Sequence, residues 1–233
     1  MKYYKPEQIF GIFLFGSQNH NYDSWDSDID TYCIVFDPTI TLNQIMLPGE
    51  ERIYFLDYIE LLARLEGQIV DYFEILDTKY YYVNHQYQNL WDYIKKYRNQ
   101  ILYYHPEVAI EMWEEVFNYC NKVLAGKISV PNHIPVVQRF GYNVKQLSYK
   151  YILIEQFERW ICLEKTLLLP DGIYVNHIRQ GLLSLNELEA LSLELDNKFS
   201  RLKTKNIKHL LYYNTDIFQR LYKLKPQKFY GDS

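Results

Sequence analysis

Residues 14–35 read LFGSQNHNYDSWDSDIDTYCIV, and the rest of the chain is understood outward from them. Gly11 to Phe15 (GIFLF) is a short apolar run that stops at Gly16, the pattern of a buried strand. Gly16-Ser17 stands at its end, and a polar, turn-rich stretch continues to Ser27. Asp28-Ile29-Asp30 then opens a second run, Ile29 to Phe36, rich in β-branched and aromatic residues and ended by Asp37-Pro38. Two strands joined by a polar loop are predicted, with small residues at the exit of one and acids at the entry of the other.

Each part has a physical use. A strand ending in Gly-Ser exposes backbone N–H groups, and Gly16 lets a phosphate approach the main chain closely. Ser17 adds a hydroxyl donor. Residues two apart on a strand share a face, so Asp28 and Asp30 project together while Ile29 points into the core. Two carboxylates on one face repel each other unless a cation sits between them. Hard oxygen ligands of this kind suit Mg²⁺ or Mn²⁺, with phosphate oxygens completing the shell.

The neighbouring segments extend an α/β pattern. Glu7 to Phe10 closes a short helix, and Leu56 to Leu65 has helical spacing at Ile59, Leu62 and Ala63 with Gly67 as its cap. Ile69 to Leu76 reads as a third strand. Beyond that point the chain reads as helical: Tyr87 to Tyr103, Glu107 to Leu124 with Pro106 at its start and Gly126 at its end, and a long run from Val136 to Leu169. Val130 to Pro135 is a proline-punctuated linker. Ser184-Leu185-Asn186-Glu187 has the spacing of a capping box, and a last helix covers Asn206 to Tyr222. The expected fold is α/β (α+β): a core over residues 1–88 with a small mixed sheet, then a helical half over 89–233 that closes a cleft.

Composition narrows the partners. The 233 residues carry a net charge of -4, which gives no general pull toward nucleic acid and excludes a strongly basic domain. The 24 tyrosines scatter through the chain and are read as the codon bias of an AT-rich genome, a low-GC bacterium or its phage. Cys33, Cys120 and Cys162 are odd in number with no CxxC spacing, which fits buried thiols in a reducing cytoplasm. The six histidines show no metal-ligand spacing. No run approaches the ~18 apolar residues of a membrane helix, so no membrane partner is expected.

The ordered elements, Gly-Ser, a loop, then acidic-apolar-acidic, resemble the signature of the DNA polymerase beta-like nucleotidyltransferase superfamily. Gly16, Ser17, Asn19, Ser27, Asp28 and Asp30 match the longer pattern of a bacterial and phage branch that includes predicted RNA-repair nucleotidyltransferases. The chain departs from that branch at its Tyr-Gly pair, where His20 and Asn21 stand. The resemblance implies a nucleotidyltransferase core that moves a nucleoside monophosphate from a nucleoside triphosphate, ATP among them, to a hydroxyl, with pyrophosphate released. It implies two Mg²⁺ (or Mn²⁺) ions held by Asp28 and Asp30, and triphosphate held by Gly16 and Ser17. RNA 3′ ends of tRNA-like kind and a protein hydroxyl are the acceptors to consider. An antitoxin-like or purely regulatory nucleotide-binding protein is the alternative reading.

Two-metal transfer usually takes a third acid. The branch places a glutamate before two apolar residues, just after a helix ending in Gly. Gly67 and Glu74-Ile75-Leu76 fit that pattern, so Glu74 is expected, with Asp71 and Asp57 as alternatives. On a regular strand Asp71 and Glu74 would face opposite sides, so only one of them could join. In the helical half the resemblance is loose: Gly141, Tyr142 and Lys145, then Ile178, Arg179 and Gly181. Lys145 is the candidate for the triphosphate, the alternative being a solvated lysine on a helix face; Arg139 and Arg179 are further basic candidates.

Overall fold

The computed structural model describes residues 4–16, 19, 29–46, 51–169, 172–205 and 216–230. Among them the chain forms two compact units. One takes the described residues within 1–19, 25–109 and 208–233; the other takes those within 110–207.

The first unit is built on a five-stranded mixed sheet. Its strands are β1 (Ile9–Phe15), β2 (Asp30–Val35), β3 (Leu42–Met46), β4 (Arg52–Asp57) and β5 (Tyr81–Val83), in the order β3-β4-β2-β1-β5. Only β2 and β4 run parallel; the other pairs are antiparallel. The two strands expected around the Gly-Ser loop are present and pair with each other, Phe15 opposite Asp30. The short helix expected over residues 7–10 is present only as far as Gln8, and Ile9 and Phe10 already belong to β1. A single 3-10 turn (Pro6–Gln8) leads straight into β1, because Phe10 and Phe13 are wanted in the core.

Helix α1 (Tyr58–Glu66) starts where Asp57 accepts the N–H of Ile59 at 2.8 Å, which satisfies one of the orphan donors of its first turn. It ends at Gly67, as expected. The segment read as a third strand is instead a 3-10 helix, Val70–Leu76. Its burial explains the error: Val70, Phe73 and Leu76 are inward, with Tyr72 and Ile75 beside them, a period of three rather than two. Helices α2 (Gln88–Lys96) and α3 (Arg98–Leu102) follow. Trp91 of α2 packs on Phe13 at 5.0 Å between ring centres, and Arg98 pairs with Asp77 through two nitrogens. The C-terminal α9 (Ile217–Lys223) and α10 (Gln227–Tyr230) belong to this unit: Phe218 meets Tyr104, Phe229 stacks on Phe36, and the Tyr230 hydroxyl reaches Asp57 at 2.7 Å.

The second unit is helical, from most of α4 (Pro106–Leu124) through α5 (Ile134–Phe140), α6 (Val144–Ile161), α7 (Ile173–Arg179) and α8 (Leu185–Lys203). The long run expected from Val136 is broken at Gly141, whose φ of +70° ends α5 in the left-handed region. The Ser184 capping box is present, with Ser184 and Glu187 exchanging bonds at the start of α8. The aromatic centre is Trp113, Phe117, Phe157 and Phe199, with Phe117 stacked on Phe199 at 4.1 Å. Cys33 and Cys120 are buried, but Cys162 is exposed, because it is the residue that caps α6 and so lies past its last buried turn. No described helix is long and apolar enough to cross a membrane.

Candidate functional site

The β1–β2 end of the sheet gathers three of the expected residues. Gly16 follows β1 with φ +74°, a conformation in which an L side chain is strained. Its N–H donates to Glu74 Oε1 at 2.9 Å. A Cβ built at Gly16 would lie 3.5 Å from Asp30 Oδ2. The carboxylates of Asp30 and Glu74 thus both approach one glycine, brought there by β2 and by the 3-10 helix.

Asn19 is what fixes the turn. It is wholly buried, and its amide donates to Glu74 Oε1 at 2.8 Å. Its carbonyl oxygen accepts from Thr78 Oγ1 (3.1 Å) and from the N–H of Lys79 (3.2 Å). The single Thr78 hydroxyl proton is shared with the Leu14 carbonyl, the nearer acceptor at 2.8 Å. The exit of β1, the 3-10 helix and the entry to β5 are therefore tied through one amide. Asn19 stood in the sequence motif without a role; an amide followed by a Thr-Lys pair sixty residues on gives no linear signal of this kind.

Arg52 was not anticipated at all. It heads β4, pairs in register with Asp30 and places its guanidinium 3.9 Å from the Asp30 carboxylate, both groups about a quarter exposed. On the same face an aromatic cluster covers the floor: Phe15 stacks on Tyr32 at 4.1 Å, and Tyr54 and Tyr72 surround Tyr32. Burial first, then Tyr72 and the charges of Asp71 and Glu74, hold the Tyr32 hydroxyl proton well above the ordinary range for a phenol.

The three acids proposed for the third position separate clearly. Asp57 lies at the far end of β4, five residues or roughly 16 Å along the strand from Arg52. It is a helix cap, accepting from Ile59, the Asp37 N–H and Tyr230. Asp71 and Glu74 do not face opposite sides, since three residues make one turn of a 3-10 helix. What distinguishes them is surroundings: Asp71 is exposed, while Glu74 is half-buried against Gly16 and Asn19. The Gly16 N–H offered to a phosphate on sequence grounds is given to Glu74. Ser17 and Asp28 lie outside the described residues, as do His20, Asn21 and Ser27. Among the described residues no group of three His, Cys, Asp or Glu side chains is arranged to hold a metal.

In the second unit, Lys145 is half-buried in the first turn of α6. Burial, and then its charge, push the pKa of His133 below the ordinary histidine value. Arg139 lies over the Phe140 ring at 4.8 Å, and Arg179 closes α7. The two loosely matching elements here meet. Gly181 has φ +69°, and any Cβ on it would stand 2.5 Å from Phe140, the residue before Gly141. Glycine suits position 181 through its positive φ and the closeness of the Phe140 ring.

No family model matches the chain, and none of the curated proteins does.

Proposed function

We propose that the protein is a metal-dependent nucleotidyltransferase, which moves a nucleoside monophosphate from a nucleoside triphosphate to a hydroxyl. The observation that carries this reading is the pair of carboxylates, Asp30 and Glu74, that both lie close to Gly16 at the end of β1. Their donor chemistry fits a hard divalent cation: both are carboxylates, and Glu74 Oε1 is fixed by two N–H donors, which orients the group. Asp28, Asp30 and Glu74 would hold Mg²⁺ or Mn²⁺. When bound, the metal supplies Lewis-acid stabilisation of charge on the phosphates.

The chain's own residues have the remaining work. Gly16 leaves the space beside Asp30 free of a side chain, and Ser17 offers a hydroxyl to the β- and γ-phosphates. Asn19 braces Glu74 and is itself held by Thr78. Glu74 stands beside the attacking hydroxyl and draws off its proton. Arg52, now the counter-charge of Asp30, is a ready cation for phosphate oxygens. RNA 3′ ends and a protein hydroxyl both remain as acceptors.

The test is incubation with Mg²⁺, each α-labelled nucleoside triphosphate and total RNA or lysate, beside an Asp28→Asn/Asp30→Asn variant. Label should move to RNA or protein with the parent chain alone; equal transfer by the variant refutes the assignment. A second reading, a nucleotide-binding regulator or antitoxin-like protein without turnover, draws on the engagement of Asp30 by Arg52 and of Gly16 by Glu74. It predicts nucleotide binding with no label transferred to any acceptor.

A further inference from the structure

A second polar site lies wholly within the helical unit, in a groove of about 580 Å³ between the end of α4, the turn before α6, and α8. That volume is ordinary for a small-molecule site. Beneath it sits Lys150, with no solvent exposure. A buried ammonium is costly unless every proton is used. Here all three are matched: Lys150 Nζ lies 2.9 Å from Asp196 Oδ1, 3.0 Å from the Ser192 carbonyl and 3.1 Å from Ser192 Oγ.

This arrangement sets the direction of the bonds above it. Ser192 Oγ accepts from Lys150, which leaves its own proton to be directed toward the nearby Tyr142 hydroxyl, also on the groove wall. Tyr142 in turn has its proton to give into the groove. Asp196 Oδ1 accepts from Lys150 and from Asn121 Nδ2 at 3.0 Å, and its side chain remains 40% exposed at the groove wall. Lys122 and Lys127, both exposed, complete the rim. The Lys150–Asp196 pair cancels, and Lys122 and Lys127 leave the α4 rim positive, with the Glu189 carboxylate near Tyr142 as the opposing charge. The groove offers donors for an anion at one side and a fixed carboxylate and amide for hydroxyl protons at the other.

We propose that this groove binds a sugar phosphate, the ribose phosphate of a nucleotide being of the right size. Phosphate lies between Lys122, Lys127 and the Tyr142 hydroxyl; sugar hydroxyls donate to Asp196 and Asn121. The unit would come from a free mononucleotide or from the end of an RNA strand, and the chemistry recognised is the same. This assignment does not rest on transfer activity at Asp30 and Glu74.

The experiment is calorimetric titration of the full chain in the Asp28→Asn/Asp30→Asn background with EDTA present, so that the sheet-end site makes no metal-assisted contribution. Probes are ribose 5-phosphate, AMP, a short RNA bearing a 5′-phosphate, and inorganic phosphate. Ribose 5-phosphate should bind at least tenfold more tightly than inorganic phosphate. Lys122→Gln/Lys127→Gln should weaken it at least tenfold, and Tyr142→Phe several-fold. These substitutions replace exposed lysines or one hydroxyl, and an unchanged circular dichroism spectrum shows that the fold persists. Tight binding of AMP assigns the free mononucleotide; binding of the strand alone assigns the strand end. Equal affinity for inorganic phosphate and ribose 5-phosphate, no binding of any probe, or affinity unmoved by the lysine replacements overturns the proposal.

Discussion

Replacing Asn19 by Ala removes a buried amide that serves three partners. The bonds to Thr78 and to the Lys79 N–H are neutral, each contributing ~1 kcal/mol net, and the bond to the Glu74 carboxylate contributes ~1.5 kcal/mol, the low end for a charged acceptor because Glu74 is half-buried. The groups left behind without partners raise the cost, so a loss of about 3–5 kcal/mol is expected. At a urea slope near ~2 kcal/mol/M this lowers the unfolding midpoint by about 2 M. A double-mutant cycle with Glu74→Ala isolates the central bond and should give a coupling of ~1.5 kcal/mol. Urea unfolding by circular dichroism on the four proteins reads both quantities. A coupling under ~0.5 kcal/mol, or a loss under ~1 kcal/mol for Asn19→Ala, would show that the amide does not organise the site.

Gly16→Ala should cost ~1–2 kcal/mol from its φ of +74° alone, with Gly16→Asn milder, in thermal melts. Asp196→Ala should destabilise by about 3–5 kcal/mol, because it strands the buried Lys150 ammonium; Lys150→Met should cost less, since Asp196 can turn to water. Equal losses in urea unfolding would contradict that asymmetry. At high pH, Tyr32 and Tyr58 are both held un-ionised by burial, their folded pKa values raised above the unfolded value near ~10. Their contribution is complete below that pH and lost above it, by ~2.7 kcal/mol per pH unit for the pair. Cys33, pushed up from 9.0 to about 11, adds a loss that begins near pH 9. Stability measured from pH 8 to 11 should begin to fall near pH 9 through Cys33 and fall more steeply above pH ~10 through the two tyrosines; a flat profile to pH 11 would refute it.

The sequence shows some parts of the site and hides others for identifiable reasons. GIFLF and the run after Asp28 are short, apolar and bounded by turn residues, so β1 and β2 stand out. Strands β3 (LNQIM) and β4 (RIYFLD) mix polar and apolar residues, and β3 is almost wholly exposed, so neither shows the alternation of a half-buried strand. With β4 unseen, Arg52 could not be set beside Asp30. Ile69 to Leu76 is apolar enough for a strand, and only the spacing of Val70, Phe73 and Leu76 betrays a three-residue turn. Glu74 is singled out in the sequence by its position after Gly67, and the structure sets it beside Gly16, although the strand reasoning that set it against Asp71 does not hold. The Asn19 network joins residues some sixty positions apart, which local pattern cannot reveal.

The bond from Tyr230 to Asp57 spans 173 residues, and the sheet unit is discontinuous in sequence, with the helical unit between its parts. During synthesis, at roughly 5–20 residues per second, Asp57 and Phe36 emerge many seconds before Tyr230 and Phe229 exist to cover them. The helical unit is complete first and has time to fold alone. An expressed fragment ending near residue 109 would hold every strand yet leave the Phe36 ring and the Asp57 cap open to other chains, so it should be recovered as aggregate.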